Sequence, residues 1–343
     1  MGNKILDINS KRGGASDHAN YVNFKFGLSD FKPLRKPALN ISKVFTGMEV
    51  EKIPAYLIKT YKLSGIEFGN WVNQVRRIDF CLNTAVGLYD LQKILKFKNN
   101  NIGLNNKVGI AFGARGYAKA YAHFEPLTNV INMTRDRRAD KITDLFGNKM
   151  SYEVNTPDYK AILNELRKDN SGYGSLAHEY GHALDYILAG DLKREKALSG
   201  GSALITSPTK ISFAYKHFTE AVYKIQSSYK TSLIEGLFID CFEAFLFNKE
   251  KPTSFYKRLY KYAEKKSDYW IRLNEIWARV FETYIAYKLF KLGVKDDVLV
   301  REGKGKYRSE LKGAAKYVYP SFGEMATHYK KIDRFLEAVA KKY

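Results

Sequence analysis

The chain has 343 residues, and a hydrophobic fraction of 45% is enough for a sizeable globular core. Its 57 Lys and Arg against 36 Asp and Glu give a formal net charge of +21, which favours contact with polyanions such as nucleic acid. Long apolar runs and cysteine clusters are both missing, which argues against a transmembrane helix, a disulfide framework and a cysteine-rich zinc site.

Weak periodicity marks the start of the chain. Residues 1–60 mix Gly, Lys, Pro and Asn, and we interpret them as a basic arm or an irregular packing segment. The polar first residues contain no apolar core of a secretory signal, so we do not expect secretion by a signal peptide.

The remaining residues, 61–343, show the pattern of an α+β domain. A helical pattern opens in GIEFGNWVNQ (Gly65–Gln74) and continues past Cys81. The runs KVGIAFGAR, AKAYAHFEP and NVINMT then predict a small antiparallel sheet, so residues 61–174 are expected to combine helix and sheet. Residues 175–343 are expected to be helical, with helices at Ser175–Ala189, Ile211–Tyr229, Leu233–Phe247, Thr253–Lys265, Trp270–Leu292 and Ala326–Lys341.

The first of these helices contains the pattern HExxH. In SLAHEYGHALDYIL, His178 and His182 are four residues apart, and Glu179 follows the first of them. Residues at this spacing share one helical face, so both imidazoles can bind one zinc ion while Glu179 contacts a water on that ion. Glu179 is therefore the predicted general base of a hydrolytic reaction. An ordinary amphipathic helix with two surface histidines is the alternative.

A catalytic zinc ion takes three protein ligands and keeps one position open, so a third ligand is needed. The stretch NEIWAR resembles the third-ligand helix of the gluzincin peptidases, and this resemblance implies that Glu275 is the ligand. In those enzymes the residue four positions later supports an active-site histidine. Here that residue is Arg279, which could instead neutralise Glu282 or Asp185, or hold substrate.

Further candidates surround this proposed site. Asp185 shares the helical face of the two histidines, but three ligands from one straight helix fit a tetrahedral ion poorly, so a supporting role is favoured. His123 on the predicted edge strand could face the cleft, or could be a packed or surface histidine. Tyr284 or Tyr287 could donate a hydrogen bond to the oxyanion of a tetrahedral intermediate.

Several motifs together resemble the large polyvalent protein-associated domains. GIEFGNWV, GIAFGARG, AHFEPLTNVINMT, GSLAHEYGHALDY and NEIWARVFETYI occur in a similar order, and the similarity runs from about Gly65 to about Leu336. These domains are zincin-like metallopeptidase modules of bacteriophages and conjugative elements. The resemblance implies a zincin-like fold for residues 61–343, and a location in the bacterial cytoplasm or a phage virion.

The leading hypothesis is therefore a zinc-dependent endopeptidase of the gluzincin type that acts on a protein or peptide substrate. The resemblance carries the presumed ligands over to His178, His182 and Glu275, with zinc as the cofactor. The alternative is a basic DNA-associated or virion protein whose zincin fold is structural or vestigial. A third hypothesis is an interaction protein in which the metal serves only stability. Non-specific contact with nucleic acid through the basic surface is expected, and contact with a membrane is not.

Overall fold

The structure is a computed structural model that describes residues 35–36, 52–69, 74–115, 122–133, 172–194, 197–223, 232–300 and 313–343. The helices are α1 (Ile53–Tyr61), α2 (Gln74–Leu95), α3 (Leu176–Asp191), α4 (Ile211–Tyr223), α5 (Leu233–Leu246), α6 (Ser254–Glu264), α7 (Leu273–Lys291), α8 (Ala315–Val318) and α9 (Phe322–Lys342). The strands are β1 (Arg35–Lys36), β2 (Gly65–Phe68), β3 (Gly109–Phe112), β4 (Ala122–Glu125), β5 (Val130–Met133), β6 (Phe247–Asn248), β7 (Lys251–Pro252) and β8 (Lys295–Asp296). None of the helices described is both long and apolar enough to span a bilayer.

The described residues fall into two compact units. The first lies within Met1–Lys93, Asn99–Leu176 and Lys295–Arg301, and the second within Ile94–Lys98, Ala177–Val294 and Glu302–Tyr343. The fold is thus mixed α and β, mostly helical, with a small sheet. Most of the predicted arm, and the predicted end of α4 at Tyr229, lie outside the described residues.

Four strands of the first unit form a mixed sheet, so the prediction of an antiparallel sheet was wrong. The strand order is β2-β3-β5-β4, in which β2, β3 and β5 are parallel and only β4 is antiparallel. Residues 65–74 were assigned to a helix, whereas Gly65–Phe68 is a strand, and the predicted strands β3 and β5 pair in parallel. Helix α2 then forms the crossover that the parallel pair β2 and β3 requires.

An aromatic cluster packs against one face of this sheet. The Phe112 ring on β3 stacks on Phe68 of β2 and on Phe80 of α2, with ring centroids 5.4 and 4.7 Å apart. Phe80 also contacts Tyr173, at 5.4 Å between centroids. All four rings are buried, so this cluster fixes α2 against the sheet.

The opposite face of the sheet bears a polar network. Glu67, Asn132 and His123 lie on strands β2, β5 and β4 on that face. The Arg115 side chain donates to Glu67 Oε2 at 2.8 Å and to Glu125 Oε2 at 2.9 Å. Burial alone would raise the pKa of Glu125, but its hydrogen bonds, first among them the one from Arg115, together outweigh burial and lower it. Arg115 therefore connects the two outer strands, β2 and β4.

The second unit is helical, and its core is built around Trp277 on α7. Phe238 and Phe242 of α5 and Phe335 of α9 surround the indole, with ring centroids 4.6, 5.9 and 5.8 Å away. The indole Nε1 donates to the carbonyl oxygen of Gly181 on α3 at 3.0 Å. One buried side chain thus connects α3, α5, α7 and α9.

Two helices of this unit begin at capping boxes. Ser232 and Glu235 form one at α5, and Ser321 and Glu324 form the other at α9, where each pair satisfies backbone N–H groups of the first turn. The second box explains why α9 begins earlier than predicted. The Glu324 carboxylate also accepts two hydrogen bonds from Arg258 of α6, at 2.5 and 2.6 Å, which connects α6 to α9.

The two cysteines are buried free thiols, as predicted. Cys81 lies in α2 of the first unit and Cys241 in α5 of the second. Burial raises the pKa of the Cys241 thiol well above its usual value. These thiols therefore behave as small apolar side chains of the two cores.

Helices α3 and α7 approach each other closely at Gly181. A Cβ atom added there would lie 3.2 Å from Ala278 Cα and 3.2 Å from Phe281 Cβ. A Cβ at Gly190, on the same helix, would meet no atom of the described residues within 4 Å. The absence of a side chain at Gly181 is thus a packing requirement of this helix pair.

We expect Gly181→Val to lower the free energy of unfolding by about 1–3 kcal/mol, because the side chain must push α7 away from α3. Gly190→Ala is the matched control, and we expect it to stabilise by up to about 1 kcal/mol, since alanine favours the helix. Urea denaturation followed by circular dichroism measures both. Similar midpoints for the two variants would contradict the close packing.

Candidate metal centre

Helix α3 places the two histidines of the HExxH pattern on one face. The ring centroids of His178 and His182 are 5.1 Å apart, and the ring planes meet at 78°. Only 15% and 9% of their side-chain surfaces are exposed, so they are not surface histidines. The buried neighbours Leu176, Ala177, Ala183 and Leu184 hold this helix in the core.

Helix α7 brings the Glu275 carboxylate to both imidazoles. Glu275 Oε2 lies 3.5 Å from His178 Nε2, and Glu275 Oε1 lies 3.5 Å from His182 Nε2. One ligand atom from each of the three residues lies within 4.8 Å of the other two. Two ligand atoms held at about 2.0–2.2 Å by a tetrahedral zinc ion are about 3.4 Å apart. The Glu275–histidine distances match this spacing.

The chemistry of the three donors also fits zinc. Two imidazoles and one carboxylate form a known catalytic set that leaves the fourth position open. Within the described part of the chain, Glu275 Oε2 is buried and accepts no hydrogen bond, although buried carboxylate oxygens normally have a partner. A cation between Glu275 and the histidines would supply that partner.

The electrostatics of the cluster favour positive charge at its centre. Burial alone would lower the pKa of His178, but the neighbouring carboxylates of Glu275 and Glu282 outweigh burial and raise the pKa to about 10. Burial would likewise raise the pKa of Glu275, yet the two histidines hold it well below its usual range. These carboxylates therefore stabilise a cation between them, whether a proton or a metal ion supplies the charge.

Glu179 lies beside the cluster and is largely buried, with 6% of its surface exposed. Its negative charge contributes to the raised pKa of His178 and to that of Tyr269. Glu179 directly follows His178 on the same helix. This position suits the role of general base predicted for it.

Glu282 supports His178 through the second ring nitrogen. Its Oε2 lies 3.3 Å from His178 Nδ1, and the residue is 3% exposed. A carboxylate in this position fixes the orientation and the tautomer of a ligating histidine. The gluzincin resemblance placed such a residue four positions after Glu275, at Arg279. The structure places it at Glu282, on the same helix.

Arg279 is buried beneath Trp270. Its Nη2 donates to the Trp270 carbonyl oxygen at 2.6 Å, and the guanidinium carbon lies 5.3 Å from the indole centroid. Burial lowers the pKa of Arg279, while the charges of Glu275 and Glu282 act in the opposite direction. Arg279 thus compensates the negative charge of α7 and holds the 3-10 turn Asp268–Ile271 in front of that helix.

Asp185 binds the loop that follows α3 rather than the cluster. Its Oδ1 accepts the Ser199 N–H at 2.8 Å, and its Oδ2 accepts the Ser199 hydroxyl at 2.6 Å. The residue is fully buried, and burial raises its pKa to about 6 although the Ser199 hydrogen bonds oppose this. Because both oxygens are occupied, the structure favours a supporting role for Asp185 over metal ligation.

Tyr269 is a residue of the site that the sequence did not single out among 25 tyrosines. Its pKa is raised first by burial and then by the charge of Glu275 and a hydrogen bond to that carboxylate. The residue is 39% exposed, so part of it remains at the surface. Only the fold of the 3-10 turn before α7 places it there.

Three other predicted residues have contacts of their own. The Tyr284 hydroxyl donates to Asp333 Oδ1 at 2.6 Å, and Tyr287 packs against Phe322 with centroids 5.5 Å apart. These contacts turn both tyrosines towards α9 instead of the histidines, so neither supplies the predicted hydrogen bond to an oxyanion. His123 belongs to the first unit, with its Nε2 3.4 Å from a carboxylate oxygen of Glu125, and its role at a cleft stays a prediction.

Comparison with known protein families gives a match, which covers the segment that contains Glu275, Glu282 and α9. Residues 261–343 match the model of large polyvalent protein-associated domain 1. The match confirms the resemblance over these residues, which exclude the two histidines. No curated protein and no solved structure matches the chain.

We expect Asp185→Ala to lower the free energy of unfolding by about 2–3 kcal/mol, because the Ser199 N–H loses its buried acceptor. The zinc that we expect the wild-type protein to bind should be retained, since Asp185 is not among the three clustered donors. Thermal melting and elemental analysis measure the two effects. Loss of zinc on Asp185→Ala, with zinc retained by Glu275→Ala, would reverse the assignment of the third ligand.

Proposed function

We propose that the protein is a zinc-dependent endopeptidase of the gluzincin type. The observation that supports this most strongly is the meeting of the HExxH histidines with Glu275, at 3.5 Å from each imidazole. The three donors come from two helices, Glu179 lies beside them, and the Glu282 carboxylate contacts the far nitrogen of His178. Hydrolytic zinc sites contain such a set of groups.

Each residue of the cluster has a role in this proposal. Zinc held by His178, His182 and Glu275 would act as a Lewis acid and bring the pKa of a water molecule near 7. Glu179 would accept a proton from the attacking water and deliver it to the leaving amine. The Tyr269 hydroxyl would turn from Glu275 and donate its hydrogen bond to the oxygen of the substrate carbonyl as that oxygen gains charge.

The biological setting is part of the proposal. The matched family model supports an association with bacteriophages or other mobile elements, where the protein would act in the host cytoplasm or travel in a virion. The substrate would be a protein or a peptide. The open fourth position of a catalytic zinc site leaves room for a peptide carbonyl next to Glu179.

The net charge of +21 supports a second candidate function, a DNA-associated or virion protein whose metal site is structural or vestigial. The two functions differ in what Glu179 does. An endopeptidase needs this carboxylate for turnover, whereas a structural metal site needs only the three ligands.

We expect the purified full-length protein to contain about one zinc ion per chain. His178→Ala, His182→Ala and Glu275→Ala should each abolish it, because each change removes one of three donors. Glu282→Gln should weaken zinc binding about 10- to 100-fold, because the support of His178 is impaired. Elemental analysis and titration with a zinc chelator measure this, with His217→Ala on α4 and Glu264→Gln on α6 as matched controls. Equal zinc content in controls and ligand variants would refute the site.

We expect Glu179→Gln to retain zinc and to lose peptide cleavage by a factor of about 100 or more, because the proton acceptor is removed. The assay incubates wild-type and variant protein with a peptide library made from a bacterial proteome, and detects new peptide ends by mass spectrometry. Cleavage by the wild type alone supports the endopeptidase. Zinc binding with no cleavage difference between the two proteins supports the structural metal site instead.

A further inference from the structure

A cluster of partly exposed aromatic rings lies where the end of α7 meets the start of α9. Tyr287 and Phe290 belong to α7, and Phe322 and Tyr329 belong to α9. The Tyr287 centroid is 5.5 Å from Phe322 and 5.3 Å from Tyr329, and the Phe290 centroid is 5.5 Å from Phe322. Phe290 is 49% exposed and its neighbour Leu292 is 60% exposed. The four rings therefore form one continuous patch that is open at Phe290.

Two lysines of α7 place their ammonium groups over these rings. Lys291 Nζ lies 4.8 Å from the Tyr329 centroid and 5.6 Å from that of Tyr287. Lys288 Nζ lies 5.7 Å from the Tyr329 centroid, and Asp333 holds it at 3.0 Å. Lys291 is exposed and forms no ion pair with any of the described residues. We call these four rings and two lysines the aromatic–lysine surface.

We propose that the aromatic–lysine surface binds single-stranded nucleic acid. Single strands offer flat bases that stack on aromatic rings, and phosphates that pair with lysine, at neighbouring positions along one chain. Phe290 supplies an accessible ring, and Lys291, the next residue in the chain, supplies a cation that pairs with no acidic side chain among the described residues. The net charge of +21 makes the whole protein complementary to a polyanion.

Two features favour a single strand over other occupants. The bases of a duplex are stacked on each other, so a side-chain ring reaches their faces only in an unpaired strand. A protein partner could pack on the apolar Leu292. The two lysines would stabilise such a complex only if the partner were acidic. The surface lies on α7 and α9, apart from the donors of the proposed zinc site, so this binding does not depend on peptidase activity.

The proposal is tested by fluorescence anisotropy. Labelled oligothymidine, or a labelled duplex of equal length, is titrated with the full-length protein at several salt concentrations. The oligothymidine should bind more tightly than the duplex. Phe290→Ala should weaken its binding about fivefold or more, because a stacked base is lost, and should leave the salt dependence unchanged. Lys291→Ala should lower the slope of log affinity against log salt by about 0.7, the value of one phosphate contact on a single strand.

The controls are an equally exposed ring and an exposed lysine on other helices of the same unit. Phe213 on α4 is 53% exposed, and Lys257 lies on the exposed side of α6. Phe213→Ala and Lys257→Ala should change neither affinity nor slope, and circular dichroism confirms that all four variants fold. Equal losses in control and test variants, or tighter binding of the duplex, would each overturn the proposal.

Discussion

The close approach of α3 and α7 is the contact on which the second unit depends. Gly181 has no side chain, so its backbone lies directly against Ala278 and Phe281 of α7. The Trp277 indole then reaches the Gly181 carbonyl and fills the core between α5 and α9. With the two helix axes this near, a glutamate of ordinary length on α7 spans the gap to both imidazoles of α3. A wider separation would keep the helices and lose the cluster.

Part of the site was predictable from the sequence, because the two histidines lie close together in the chain, on one helix. The spacing of His178 and His182 fixes their common face as soon as the helix forms, and apolar periodicity predicted that helix within about two residues. Glu275 came from a motif resemblance. The contacts of Glu282 and Tyr269 were not predictable, because they depend on how α7 and the turn before it pack onto α3. No spacing rule connects residues about 100 positions apart.

The difference between local sequence patterns and long-range packing also explains which parts of the fold were predicted. Helices α3, α5, α6 and α7 were predicted within about three residues of their observed bounds, because each has a repeating apolar face, and α5 and α6 also begin at a capping residue. The sheet was mispredicted because GIEF is too short to show whether it is strand or helix, and because strand direction depends on connections rather than on composition. The hydrogen bonds that Ser199 donates to Asp185 could not be predicted from the sequence either, because Ser199 lies in a loop.

The order of the donors along the chain has a consequence for biosynthesis. The ribosome releases both histidines of α3 before it has made α7, and His178 precedes its supporting residue Glu282 by 104 positions. At translation rates of about 5–20 residues per second, roughly 5–20 s separate these events. During that interval the nascent chain holds two unsupported imidazoles and no third donor. The cluster closes only when α7 docks, so its three donors do not meet until α7 has been translated.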